Sequence, residues 1–129
     1  MARGDSEDKT LSWREVLVQH KTLRGIAHGS LLVDFGESGY RNLHLPDGRI
    51  RYPGEGLAGN QQPVRGNRIL LEALESGCPM RVFRREGTNR WRDLGPYCLE
   101  QVEYRLEEAE GRYIYWFTLA PALPDTQNG

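Results

Sequence analysis

The chain has 129 residues, with 38% hydrophobic and 27% charged residues, a globular balance in a length that suits a single core. No stretch approaches the roughly 18 consecutive apolar residues of a membrane span, and the polar opening MARGDSEDKT lacks the apolar core of a secretory signal, so a soluble cytosolic protein is expected. The net charge of −1 argues against a phosphate-binding surface until its distribution is read: residues 41–92 hold ten Arg against five acids, while the remainder holds seven bases against thirteen acids. Fifteen of the seventeen bases are Arg, the side chain that grips phosphate or guanine with two parallel bonds, although a general Arg bias would give the same count.

In chain order, residues 1–10 read as a disordered lead-in to one domain over 11–120. Ser12 followed by Glu15 is a capping box, and Trp13, Val16, Leu17 and His20 continue at helical spacing, which predicts a helix over 12–22. HGSLLVDFG (28–36) is a short apolar strand entering a turn. Pro46, Asp47 and Gly48 mark a second turn, with a strand at 49–52 after it.

The next stretch, RYPGEGLAGNQQPVRGNR (51–68), carries four glycines and two prolines and reads as a long irregular loop. It ends at Asn67, an expected N-cap for a helix over 68–76 with Ile69, Leu70, Leu71 and Leu74 inward and Gly77 as its stop. Beyond it, 79–85 alternates Met80, Val82 and Arg84 with Arg81, Phe83 and Arg85. Strands at 97–107 and 112–120 then form a hairpin, and 121–129 is a Pro-containing tail. The sum is an α+β chain, mostly β, with five or six strands in a small closed or half-open barrel flanked by two or three helices.

Catalytic and cofactor signatures are missing. GEGLAG lacks the Gly-Lys-Ser/Thr ending of a phosphate loop and no βαβ unit surrounds it. His20, His28 and His44 lack metal-ligand spacing, Cys78 and Cys98 are too few and too far apart for zinc, and both are expected to be reduced. Asp47 and Glu55 imitate a magnesium pair without the lysine that would accompany it, and no Ser or Cys sits in a nucleophile motif. No cofactor or metal is expected, and binding rather than catalysis is the default.

The ordered segments RYPGEG, RGNRILLEAL, GCPMRVFRR, RDLGPYCLEQVEY and GRYIYWFTLAP resemble the SRA (SET-and-RING-associated, or YDG) domain, the modified-cytosine reader also found in McrA-type HNH endonucleases, over residues 28–120. The resemblance implies a PUA-like barrel that turns one nucleotide out of double-stranded DNA and closes aromatic faces around its base, replacing the stacking lost in the duplex. Tyr52 falls on one stacking position and Tyr40 on the other. Where the family carries an acid that reads the base, this chain has Leu43 between Asn42 and His44, which makes Asn42 the expected base-reading group and Asp47 a poorer one. Gly54 matches the small residue beside the base, and Pro53 replaces a residue used for its backbone N–H.

Arg41, Arg49, Arg51, Arg65, Arg68, Arg84 and Arg85 are expected on phosphates or in a groove, Arg65 and Arg68 being close to a helix N-terminus that favours anions. Asn60, Gln61 and Gln62 carry amides suited to base edges or to the gap a flipped base leaves, with polar loop filler as the plainer reading. The implied function is a non-catalytic reader of 5-methyl- or 5-hydroxymethylcytosine, acting alone or directing a restriction nuclease. Two other readings fit the same residues: a PUA-like RNA-binding domain of the ASCH or EVE kind, and a small hydrolase of modified nucleotides.

Overall fold

A computed structural model describes residues 10–34 and 42–122. The expected lead-in and most of the expected tail lie outside these residues, as do Tyr40 and Arg41. The elements run α1 (Trp13–His20), β1 (Ile26–Ala27), β2 (Ser30–Val33), β3 (Leu43–His44), β4 (Ile50–Pro53), α2 (Arg65–Ser76), β5 (Met80–Gly87), β6 (Arg90–Glu107) and β7 (Arg112–Pro121). The seven strands make one mixed sheet in the order β1-β2-β5-β6-β7-β4-β3, parallel only between β2 and β5.

The sheet curls around α2 without closing. One core cluster contains Ile26 and Leu31 from one end of the sheet, Ile50 and Tyr52 from the other, Met80, Val82, Phe117 and Leu119 from the middle, and Leu70 from α2. The two ends meet where a Cβ on Gly25 would lie 2.8 Å from the Tyr52 hydroxyl, so only glycine lets the β1 approach pass that ring. Arg24 reaches Glu55 across the same seam at 3.6 Å. The half-open alternative is therefore the one adopted, with two helices among the described residues.

The opposite face holds a smaller cluster of Val16, Phe83 and Trp91, covered by α1. Val82 and Phe83 are both buried because neighbouring residues of a strand point to opposite faces and each face of β5 is covered by its own cluster, while the β6 register slips at Leu94 opposite them. α1 starts as the capping box dictates: Ser12 Oγ accepts from Glu15 N at 3.2 Å and Glu15 Oε1 accepts from Ser12 N at 2.8 Å. It stops two residues earlier than the periodicity suggests, at a left-handed Lys21 with φ 67°.

His20 closes α1 onto the sheet. Its Nε2 lies 2.6 Å from the Arg24 carbonyl and its Nδ1 2.6 Å from Ser30 Oγ. A carbonyl only accepts, so Nε2 carries the proton and Nδ1 accepts from the serine hydroxyl in the neutral ring. Burial holds its pKa below the ordinary 6.5, with the Arg24 hydrogen bond opposing the shift. A depressed folded-state value contributes stability that is complete above the unfolded value and is lost as pH falls through the folded one. We expect the melting temperature of the wild type to fall below about pH 6.5 more steeply than that of His20→Gln, measured by thermal unfolding in matched buffers; parallel curves would contradict this.

Candidate nucleic-acid interface

A cleft of about 1040 Å³ opens at the seam where the sheet ends approach. Of the expected site residues it is lined by Asn42, Tyr52, Pro53, Gly54, Asn60, Gln61, Gln62 and Arg65, together with Arg24, Gly25, Glu55 and Arg112. β4 brings Tyr52 to it by pairing with β7, where Tyr52 sits opposite Phe117. The ring is 7% exposed and packs into the core while lining the cleft. Asn42 is buried and its Oδ1 accepts from the Asp34 backbone N–H at 3.3 Å, a bond that ties together the two ends of segment 35–41.

The long loop after β4 is braced by its own amides. Gln61, only 4% exposed, accepts from Tyr115 N at 2.9 Å through Oε1 and donates through Nε2 to the Gly54 and Gly56 carbonyls at 2.8 and 3.3 Å. Asn60 Oδ1 accepts from Tyr113 N at 2.8 Å, and Arg112 Nη1 donates to the Gly56 and Gly59 carbonyls at 2.8 and 3.2 Å. Gln61 therefore has no amide to offer a base edge, and Asn60 has spent its oxygen. Gln62 is exposed, with Nε2 3.3 Å from the Asn60 carbonyl.

Asn67 departs from its expected role. α2 begins at Arg65 and its N-cap is Val64, which makes no side-chain cap. Asn67 lies buried in the first turn, where Oδ1 accepts from Glu55 N at 2.7 Å and Nδ2 donates to the Glu55 and Gln62 carbonyls at 3.0 and 2.9 Å. The capping is done from across the loop: Glu55 Oε1 accepts from Gly66 N at 3.1 Å. The helix N-terminus expected to attract a phosphate thus already faces a carboxylate of the chain itself. Arg65, at φ 53°, adopts the left-handed backbone that L-residues seldom take, and its side chain is exposed at the cleft.

Gly54 lines the cleft and has a structural reason of its own. A Cβ there would lie 2.5 Å from Gln61 Oε1 and 2.7 Å from Asn67 Oδ1, so the position must be glycine to admit the two bracing amides. Pro53 lies on the cleft at the end of β4, opposite Trp116.

The remaining expected residues lie elsewhere. Asp47 is in the turn between β3 and β4, at the far end of β4 from the cleft, beside a Gly48 that approaches Pro121. Its carboxylate accepts from the Arg49 backbone at 3.0 Å and pairs with the Arg49 guanidinium, and these bonds hold its pKa below the ordinary carboxylate value. It does not reach the cleft. Arg49 also pairs with Glu100 at 2.8 Å, and Arg68 with Glu72 at 2.9 Å, both on the surface. Arg51 pairs with Glu103 at 3.1 Å and lies over the Trp116 ring at 5.1 Å, on the face of β4 opposite Tyr52. Arg84 and Arg85 stand half-buried on β5, away from the cleft lining.

Among the described residues, no group of three or more His, Cys, Asp or Glu could hold a metal ion, and no helix is long and apolar enough to cross a membrane. Cys78 and Cys98 are free.

Comparison with known proteins follows the same lines. The fold matches the SUVH5 SRA domain in its complex with fully hydroxymethylated CG DNA, with TM-score 0.75 and 20% identity over 91% of this chain and 88% of that one. A second SUVH5 SRA structure, with fully methylated CG DNA, matches at TM-score 0.64 and 23% identity over 77% of this chain and 66% of that one. The modification-dependent TagI restriction endonuclease matches at TM-score 0.77 and 21% identity over 94% of this chain, which spans about half (51%) of that protein. No curated protein sequence matches significantly. The family described as ScoMcrA-like, SRA domain, matches residues 19–127, nearly the whole sequence, and the chain belongs to that family.

Proposed function

We propose that this chain reads modified DNA by taking a C5-modified cytosine out of the duplex into the cleft, with Tyr52 on one face of the base, Tyr40 on the other and Asn42 at its edge. The carrying observation is the placement of the cleft: Tyr52 and Asn42 line it, and Asn42 ends the segment that bears Tyr40. Its volume is at the upper end of small-ligand pockets, so an extruded nucleotide fits. The SUVH5 SRA domain is known in complex with methylated and hydroxymethylated CG DNA, and TagI is modification-dependent, which supports the same substrate class here.

In this reading the arginines hold the phosphates. Arg65 stands at the cleft rim, and Arg49 and Arg68 sit in exposed ion pairs, each worth about 0–1 kcal/mol, which a phosphate can replace at little cost. Arg51, partly buried against Trp116, is less able to exchange its partner. Recognition would fall to this chain and cutting to a nuclease module, within the bacterial cytosol or nucleoid.

The test is a gel shift of otherwise identical methylated, hydroxymethylated and unmodified duplexes at one stated salt concentration, extended to single strands and RNA. A modified duplex is expected to bind several-fold tighter than the unmodified one, the scale of burying one C5 methyl group at about 0.8 kcal/mol. Equal affinity for all duplexes would sink the reading, and preference for RNA would favour the PUA-like alternative.

A further inference from the structure

We infer that Glu55 decides which base the cleft accepts, by taking a hydrogen bond from an exocyclic amino group. The inference rests on the reading of the cleft as a base pocket. A base held there is told apart by its polar edge: cytosine-type bases present an amino donor at C4, thymine-type bases a carbonyl acceptor. A site selective for the amino form needs an acceptor that cannot itself donate, and an ionised carboxylate is that group.

Among the described residues, two carboxylates line the cleft, Glu55 and Glu110. Glu110 is bound to Arg112 at 2.7 Å. Glu55 uses Oε1 for the Gly66 N–H at 3.1 Å, with Arg24 at 3.6 Å from the same oxygen, while Oε2 makes no hydrogen bond among the described residues. The side chain is 26% exposed, reachable from the cleft yet held in place. Asn42 is a weaker candidate for this task, because its oxygen already accepts from Asp34 N.

The position is also rigidly set. The Glu55 backbone is clasped on both sides by Asn67, N–H and carbonyl alike, and Gly66 leaves no Cβ in the space the carboxylate occupies, since one would lie 2.5 Å from its carbon. Glu55 follows Tyr52 by three positions in the chain, so one short segment would supply both a stacking face and a reading group.

Glu55→Gln tests this directly. Glutamine keeps an oxygen for the Gly66 N–H, so the loop and helix start are retained, and it turns an NH₂ donor toward the cleft in place of the free acceptor. The probes are duplexes with a single 5-methylcytosine or a single thymine opposite an abasic site, so that extrusion breaks no base pair in either. Wild type is expected to favour 5-methylcytosine at least ten-fold, and Glu55→Gln to lose or reverse that preference with the melting temperature changed by no more than a few degrees.

A Glu55→Gln protein that keeps the wild-type ratio would overturn the inference. So would a wild type that binds both probes equally while still preferring modified over unmodified duplexes, a result that needs no variant to fold. A wild type with no modification preference at all would instead remove the underlying reading of the cleft.

Discussion

Asn67→Ala is expected to lower the unfolding free energy by about 2–4 kcal/mol, read from the urea midpoint at unchanged slope. The side chain is 1% exposed and its three hydrogen bonds hold the Glu55 N–H, the Glu55 carbonyl and the Gln62 carbonyl. With alanine, those backbone groups lose their partners in a place water does not easily reach, and each orphaned group costs about 1–3 kcal/mol before any relaxation. Relaxation would swing the loop away from α2, which separates Glu55 from Gly66 and opens the cleft wall. Asn67→Asp should do no better, because it keeps the oxygen that accepts from Glu55 N but turns a second acceptor toward two carbonyls. A loss below about 1 kcal/mol for Asn67→Ala would mean the loop holds its shape without this clasp.

Asn67 also shows where sequence reading stops. An Asn before an apolar helical run reads as an N-cap because the capping signal is local, and the Ser12–Glu15 box, equally local, is found as expected. The partner that overrides it for Asn67 is twelve residues away across an irregular loop, at a spacing with no periodic signature. The same holds for Gly54, where the convergence of Gln61 and Asn67 by itself demands a glycine, a reason with no signature in the sequence. The β6–β7 hairpin is legible because β7 alternates over its length and a turn separates it from β6, yet β6 begins at Arg90, before the GPY break that marks its apparent start, and its ladder to β7 slips at Glu100. Propensity sees Gly95 and Pro96 as an end; the ladder to β5 carries the strand through them.

For the site, pattern and resemblance together selected eight residues that line one cleft, and also Asp47 and several arginines, which the structure puts outside it. Asp47 is three residues from the start of β4 but at the end remote from the cleft, a distinction that needs the direction of the strand. Glu55, Arg24 and Gly25 were not selected as site residues, because they become neighbours only when the two ends of the sheet meet. Tyr40, expected in the pocket, and Arg41, expected on the DNA backbone or groove, lie outside the described residues, and Asn42 follows directly after them in the chain.

The largest functional effect is expected at Tyr52, and it must be separated from the role of the same ring in the core. Tyr52→Ala would empty a buried site as well as remove a stacking face, so the informative pair is Tyr52→Leu and Tyr52→Phe. Leucine keeps apolar volume opposite Phe117, at a cost of about 1–3 kcal/mol for the change of shape, but offers no π face. Phenylalanine removes only the hydroxyl that passes Gly25 and leaves the ring. If an extruded base stacks on this ring, Tyr52→Leu should lose roughly ten-fold or more in affinity for modified duplex, the scale of one aromatic–base stack, and should retain the weak, salt-sensitive binding that the arginines give any duplex. Tyr52→Phe should keep the discrimination of the wild type. The comparison is made at a single salt concentration with circular dichroism confirming the fold of each variant. Should Tyr52→Leu still discriminate like wild type, the ring serves the core alone and the stacking face must be sought elsewhere on the cleft wall.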